Sequence, residues 1–473
     1  MSRAIVIGGS IAGMCSARVL CDFFDEVVIL DRDQFPTEIA PRPGVPQSRH
    51  THVLLPRGEQ ELEELFPGFS ASMMAAGALK FDVGTGMAVR RVFGWQTVGP
   101  TGRELLWASR DLFEGTIRSL MRQQTKVRIR EGSQVLALRS TAGERPRIRG
   151  VLLRDDAAEQ ELEADLVVDA SGRHTRAEQW LTELGLPAPK TQCVDSRAGY
   201  ASRFYKVPPP ERRPSDWWWK GLWVEAEPDR PRGAVVFPIE GDRWLVTASG
   251  FSGSYPPTDE QGFLEHLASL SSPIVARAVA LAEPISPIYG NRSMANVSRA
   301  YDRWEIQLPG FVAVGDAACA FNPVYGQGMS TSTVSAVILR DVLRRRGPGA
   351  GFEPGFFQQQ AKFLRSVWDF ATRSDFRWPG TVGERPHTPA IIGAYAKLAI
   401  ESAHHDSAIR RHLFPAFDLT GSATLLFEPL FVGKVLLSAG QRRLRQRLLG
   451  TPPIPESPPV PAGVPRWAAG AAM

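Results

Sequence analysis

An acidic residue that closes a buried strand, followed by a turn rich in proline and glycine, is the first pattern in this chain able to do chemistry. The apolar run Phe311 to Val314 leads into Gly315 and Asp316, and Asn322-Pro323-Val324-Tyr325-Gly326-Gln327-Gly328 follows. Asp316 at the strand end can accept hydrogen bonds from sugar-like hydroxyls. The Pro-x-x-Gly-x-Gly turn can aim the N-terminus of the next helix at a negatively charged group. A second loop of this kind, Gly8-Gly9-Ser10-Ile11-Ala12-Gly13, lies near the start of the chain. A glycine loop that opens a helix binds a pyrophosphate through its backbone N–H groups. Together the two loops predict a flavin dinucleotide held at both ends.

The elements around the first loop fit that reading. Arg3 to Ile7 reads as a short apolar strand, Met14 to Asp22 as a helix, and Val27 to Leu30 as a second strand closing on Asp31. Strand, glycine turn, helix and strand in this order form the dinucleotide-binding context. Gly8 serves the tight turn, and Gly13 lets the helix pack closely on the strand. Ser10 holds the middle position, where glycine is usual, and its small side chain can donate a hydrogen bond of its own. Asp31, with Arg32 beside it, falls near the ~20-residue offset at which an acid binds the adenosine ribose. An acid rather than a base there suits FAD better than a 2′-phosphorylated nucleotide.

Two middle segments add polar groups. Ser109-Arg110-Asp111-Leu112 predicts a helix start, with Ser109 as its cap and Asp111 in its first turn. Arg110 either offers a fork of donors to a pyrophosphate or lies on the surface. The strand Leu166 to Val168 runs into Asp169-Ala170-Ser171-Gly172-Arg173-His174-Thr175-Arg176. Asp169 can gather the backbone amides of this turn, and Arg173 and Arg176 can face phosphates. A purely structural left-handed turn at Gly172 is the alternative.

The order of these three segments resembles that of the FAD-dependent monooxygenases of the aromatic-hydroxylase fold. The Asp-Ala-Ser-Gly form replaces the Asp-Gly pair usual in the aromatic hydroxylases, which argues against a simple phenol hydroxylase. Arg42-Pro-Gly-Val-Pro-Gln-Ser-Arg-His50-Thr-His52 resembles the Gly-Val-Pro-Gln-x-Arg-His-x-His stretch of squalene-epoxidase-like polyether epoxidases. Gly315 to Met329, with Cys319, Asn322 and Tyr325, is similar to the same branch. The resemblance implies an α/β architecture: a Rossmann-like FAD-binding domain of the aromatic-hydroxylase or glutathione-reductase-like fold, an inserted β-sheet substrate domain and a C-terminal helical region. It implies that Gly8, Ser10, Gly13, Asp31 and Arg32 bind the ADP half and that Arg110 faces the pyrophosphate or flavin. Gly315 and Asp316 would contact ribityl or pyrophosphate groups. The amides from Gly326 to Gly328 would lie beside the flavin pyrimidine ring and stabilise negative charge there.

The implied activity uses FAD, oxygen and reducing equivalents from NAD(P)H, taken directly or as reduced flavin from a partner reductase. One oxygen atom would enter a large apolar substrate, foremost an alkene of a polyketide or terpenoid intermediate. An alkene needs no deprotonation, whereas a phenol gains from a general base, and no base is identifiable in the sequence. His50 and His52 follow a rigid Pro-Gly-Val-Pro segment. They are the candidates for catalytic polar groups, or for structural hydrogen bonding near the cofactor. An FAD-dependent reductase or desaturase is one other reading and a flavin halogenase another. The halogenases share the fold but carry Trp-x-Trp-x-Ile-Pro, where this chain has Trp217-Trp218-Trp219-Lys220.

Tyr200 to Val207, Gly233 to Ile239 and Arg243 to Phe251 have strand patterns, with Glu240-Gly241-Asp242 as a hairpin turn. Trp217, Trp219 and Trp223, with Phe237, can line a substrate pocket; the tryptophans can equally pack sheet against loop. The predicted organisation is an FAD-binding domain in two parts, 1–190 and 291–350, a substrate sheet at 191–290, a helical region at 351–450 and a disordered Pro- and Ala-rich tail at 451–473.

Composition narrows the partners. The chain has 473 residues, is 43% hydrophobic and carries a net charge of +5, enough for a sizeable core with a mild basic excess. No stripe of interleaved aromatic and basic residues supports a nucleic-acid partner. An acidic acyl-carrier protein or an anionic membrane stays open. Cys15, Cys21, Cys193 and Cys319 lack metal-ligand spacing, so no metal is expected, and so few cysteines suit a reducing cytoplasm. The N-terminus enters a strand at once, which predicts no cleavable signal, and no long uncharged apolar run predicts a spanning helix. Leu425 to Leu437 is apolar but interrupted by Glu428, Pro429 and Lys434, and an Arg-rich stretch follows. That segment either packs across the flavin domain or makes reversible peripheral contact with a membrane.

Overall fold

The computed structural model describes residues 1–461 except 144, 156, 157, 350 and 388. Its first layer is a parallel five-stranded sheet in the order Phe311–Ala313, Leu166–Asp169, Arg3–Ile7, Glu26–Leu30, Val127–Arg130. The central strands are nearly continuous Val, Ile and Leu because both faces are covered, as a parallel sheet requires. The helix Ile11–Leu20 packs on the long helix Gly328–Arg346. Since all five strands run the same way, the loops after them leave from one edge. Gly8 to Ser10, Asp31, Ala170 to Gly172 and Gly315 with Asp316 are therefore delivered to one crevice, where ligands bind in such sheets.

The second layer is a mixed sheet in the order Glu283–Pro284, Gly199–Lys206, Arg243–Gly250, Arg232–Ile239, Gly221–Val224, Met87–Arg91, Gly94–Trp95, with Tyr289–Asn291 also paired to Gly199–Lys206. The hairpin at Glu240 to Asp242 turns through left-handed residues, Gly241 at φ 72 and Asp242 at φ 51, which matches the twist of its strands. Here the expected division at residue 190 is corrected. Met87–Arg91 leaves the first part of the flavin domain and pairs in parallel with Gly221–Val224.

Side chains alternate across this sheet. One face, with Ala201, Tyr205, Val236, Trp244 and Val246, packs under the helices Glu260–Ala268 and Ile274–Leu281. The other turns Ser202, Thr247, Trp223 and Phe237 toward the flavin domain.

The C-terminal region is helical, at Glu353–Asp375, Ala390–His405, Ser407–Phe417 and Pro429–Leu449. The tail predicted to be disordered is pinned in part. Trp95 Nε1 donates to the Pro455 carbonyl at 2.8 Å, and Arg277 pairs with Glu456 at 2.7 Å. An indole donor and a charge partner hold residues that are locally featureless. The expectation for 462–473 lies outside the described residues. Among the described residues no helix is long and apolar enough to cross a membrane.

Candidate active site

The three glycine turns meet. A Cβ on Gly315 (φ 58) would lie 2.8 Å from Ala12 Cβ, and one on Gly8 (φ 100) would lie 2.6 Å from the Ala170 carbonyl oxygen. At Gly13 a Cβ would come within 1.8 Å of the Gly8 oxygen, so no side chain fits there. Asp169 gathers its turn as the sequence predicts, accepting from Ser171 N at 3.0 Å and from the Ser171 and Thr175 hydroxyls. The arginines of that turn require a correction. Arg173 donates to the backbone carbonyls of Ala295 and Phe321, and Arg176 to Gln179. Arg173 thus ties the turn to the loop before Pro323 with two of its N–H groups, and its charge acts on Asp316.

A buried ionic cluster underlies the first loop. Arg42 donates from Nε to Glu114 at 2.6 Å and from Nη1 to Asp33 at 2.6 Å and Asp31 at 3.2 Å. Glu114 also accepts from Ser10 Oγ at 2.8 Å and pairs with Arg110 Nη2 at 2.9 Å. Burial works to raise the Glu114 carboxyl, yet Arg110 and Arg42 overcome it and hold the group below the usual carboxylate range. Asp31 accepts from Gly9 N at 2.7 Å and Asp33 N at 2.9 Å, so it shapes the turn as well as closing the strand. Arg32 is exposed beside it, on an open hollow lined by Asp33, Gly132, Gln134, Arg154 and Asp155. Arg42 and Glu114 carry no motif signal, since each becomes polar machinery only when two distant segments bury it.

The helix Arg110–Met121 is capped by Ser109 Oγ, which accepts from Leu112 N at 3.1 Å. Arg110 is buried, and its Nη1 has no hydrogen-bond partner among the described residues. An unpartnered guanidinium nitrogen beside two helix N-termini is the donor set an anionic diphosphate would satisfy. Asp316 lies across the crevice, its carboxyl pushed up by burial and drawn down by Arg173 and Arg110. Gly328 opens the long helix with its Cβ position 3.8 Å from Asp316 Oδ1. These residues fit FAD.

The histidines sit between the two layers. His50 Nδ1 is 2.8 Å from Ser202 Oγ, which is 2.6 Å from Thr247 Oγ1. His52 Nδ1 is 2.9 Å from the His50 carbonyl, which can only accept, so Nδ1 carries the proton and Nε2 is left as an acceptor. Burial, reinforced by Arg49, brings His50 down to about 4; burial with Arg110 brings His52 down to about 3. Both rings are therefore neutral at pH 7.

A second polar cluster joins Asn322 and Tyr325 of the Pro-x-x-Gly-x-Gly segment to Asp375, which has no sequence signal. Asp375, the last residue of its helix and fully buried, accepts from the Tyr325 hydroxyl at 2.6 Å, Asn322 Nδ2 at 3.0 Å and Asn296 Nδ2 at 2.6 Å. It fixes the Pro323–Tyr325 turn, and burial raises its carboxyl to about 6.

The four pocket candidates separate. Trp217 and Trp219 meet in a tilted pair with ring centroids 4.7 Å apart and lie tilted against Trp244, on the helix-covered face. They pack between sheet and helices and line a hollow there with Val207, Arg213 and Lys220, on the side away from Trp223 and Phe237. Trp223 and Phe237 belong to a cluster on the opposite face with Phe81, Met87, Val89 and Trp107, and Val53 packs against it. Val53 also touches the Pro323–Gly326 turn, because a Cβ on Gly326 would lie 3.1 Å from Val53 Cβ.

Residues 1–345 match the family described as FAD binding domain. The chain belongs to this family. It is a family of FAD-dependent monooxygenases, FAD is its cofactor, and NAD(P)H is its typical reductant. The Mycobacterium tuberculosis relative Protein Rv3254 is 34% identical over 379 residues, 73% of each chain. A flavoprotein/dehydrogenase from Cytophaga hutchinsonii superposes with a TM-score of 0.65 at 16% identity, covering 94% of this chain and 99% of that one. The p-nitrophenol 4-monooxygenase PnpA from Pseudomonas putida gives 0.63 at 16%, covering 89% and 100%. The flavin-dependent brominase Bmp2 gives 0.64 at 17%, covering 93% and 100%. At these identities the structural likeness establishes the shared fold alone.

Proposed function

We propose that this flavoenzyme inserts one oxygen atom into a large apolar substrate, an alkene of a polyketide or terpenoid intermediate, as in the squalene-epoxidase-like branch. One observation carries the reading: the apolar cluster of Trp223, Phe237, Met87 and Trp107 reaches the Gly326 turn through Val53. The Gly-Val-Pro-Gln-x-Arg-His-x-His stretch, Gly44 to His52, supports it.

Bound FAD, reduced by NAD(P)H or exchanged as reduced flavin with a partner reductase, supplies the activation of oxygen. The chain supplies the rest. Arg110 and the helix N-termini would hold the diphosphate, Asp316 would accept from the ribityl hydroxyls, and the amides from Gly326 to Gly328 would stabilise negative charge on the reduced flavin. The apolar cluster excludes water from the reacting face. His50 and His52, neutral and hydrogen-bonded, orient polar groups without releasing protons. A basic excess suits delivery by an acidic acyl-carrier protein, and the cytoplasm suits the free thiols.

The test is turnover of candidate polyenes under labelled oxygen with mass analysis of the product. Gain of one labelled atom is expected; flavin oxidation with unlabelled product would point to the reductase reading instead.

A second reading, hydroxylation of an ionisable ring or enol, is favoured by Tyr325 and Asp375. The Tyr325 hydroxyl oxygen can accept a substrate proton while passing its own to Asp375 Oδ1, and Asp375 is largely ionised at pH 7. Selective loss of phenol turnover over alkene turnover in Asp375→Asn would establish this reading.

A further inference from the structure

The helix Pro429–Leu449 has one face in the protein and the opposite face in solvent. Phe431, Val435 and Ala439 are buried, Phe431 stacks on His412 at 4.2 Å, and Arg442 pairs with Glu401 at 3.0 Å. At 3.6 residues per turn these four share one side. The far side is a line of Leu430, Leu437, Leu444 and Leu448, which are 84%, 64%, 59% and 73% exposed. Gly433 and Gly440 lie on the same line, with nothing within 4 Å of their Cβ positions. Lys434 and Arg445 flank the line on one side, Arg443 and Arg447 on the other. The helix contains no acidic residue.

We propose that this helix docks the enzyme on an anionic phospholipid surface, its leucine line in the acyl boundary and its flanking cations among the headgroups. An exposed apolar stripe between two basic rows is the pattern of an interfacial helix. The charge distribution argues against a second copy as the occupant. Two such faces together would oppose Lys434, Arg443, Arg445 and Arg447 with their own copies, and the helix has no acid to neutralise them. The helix is too charged to span, which agrees with lying in the interface plane. This inference does not depend on the identity of the substrate.

The experiment is flotation of the full-length, FAD-loaded protein with vesicles of pure phosphatidylcholine and of phosphatidylcholine with phosphatidylglycerol. Binding to the anionic vesicles at least about tenfold stronger than to the neutral ones, weakened by salt, is expected. Leu437→Glu with Leu444→Glu should abolish it. Arg443→Glu with Arg445→Glu and Arg447→Glu should remove the preference for anionic lipid. All these side chains are solvent-facing, so both variants should keep the flavin spectrum and melting temperature of the parent. Absence of the parent from anionic vesicles overturns the proposal. So does equal binding to neutral vesicles, or self-association on a sizing column that the leucine variant alone disrupts while vesicle binding persists.

Discussion

The flavin crevice and the sheet that roofs it are built on different principles. The crevice is assembled from strand-end loops, each next to its own strand in sequence, and one parallel sheet sends them all to the same edge. The roof is assembled from alternate residues of strands drawn from separate parts of the chain, Met87–Arg91 among them. Damage to the crevice should therefore strike cofactor and fold together. Damage to the roof should divide cleanly by face.

The largest effect should come from Gly13→Val. Its side chain would collide with the Gly8 carbonyl, so soluble yield and flavin absorbance should both vanish, a cost above about 4 kcal/mol. A yellow, soluble variant would break the picture of a rigid crevice. Arg42→Ala comes next. It strands Asp31 and Asp33 as buried carboxylates and leaves Glu114 to Arg110 and Ser10, which should lower stability in denaturant titration by about 3–5 kcal/mol.

The roof supplies the sharpest contrast. Trp219→Ala removes a core side chain and should cost about 3–5 kcal/mol with KM unchanged. Trp223→Ala, on the other face, should raise KM by about tenfold, roughly 1.4 kcal/mol, with a smaller loss of stability. If the two exchange phenotypes, the assignment of faces is wrong. Asp316 is the exception within the crevice, a polar side chain and not a packing one: if it accepts from the ribityl chain as proposed, Asp316→Ala should spare the fold while FAD affinity measured by fluorescence quenching falls by about 1.5–3 kcal/mol.

The smallest effect is in pH. His50, held neutral down to about 4, and His52, down to about 3, take up protons in the unfolded chain first. Their contribution is present above the ordinary histidine value and declines as pH falls toward 4. Asp375, raised to about 6, has the opposite sign, contributing most below the ordinary carboxylate value and losing that as pH rises through 6. Melting temperature against pH should therefore flatten on the acid side in His50→Gln and steepen in Asp375→Asn.

Some residues announced their place locally. Gly8, Gly13, Asp31, Ser109 and Asp316 sit in strand–turn–helix contexts whose geometry a few neighbouring residues fix. The hairpin at Glu240 to Asp242 was legible for the same reason. Trp217 and Trp219 were not, because a period of two says that a strand has two faces without saying what covers each. Arg173 has the type of a phosphate ligand, yet nearby backbone carbonyls claim it.

The sequence by itself determined the parallel nucleotide-binding sheet, the glycine turns and the acids that close its strands, since backbone sterics and strand-end chemistry act over a few residues. Only the tertiary structure decided that Arg42 and Glu114 lock the first loop, that Asp375 clamps the turn at Tyr325, and that one tryptophan faces the flavin side while two support the sheet. Those outcomes depend on which distant surfaces are buried together, because a charge or an indole takes its role from the partners that replace water around it.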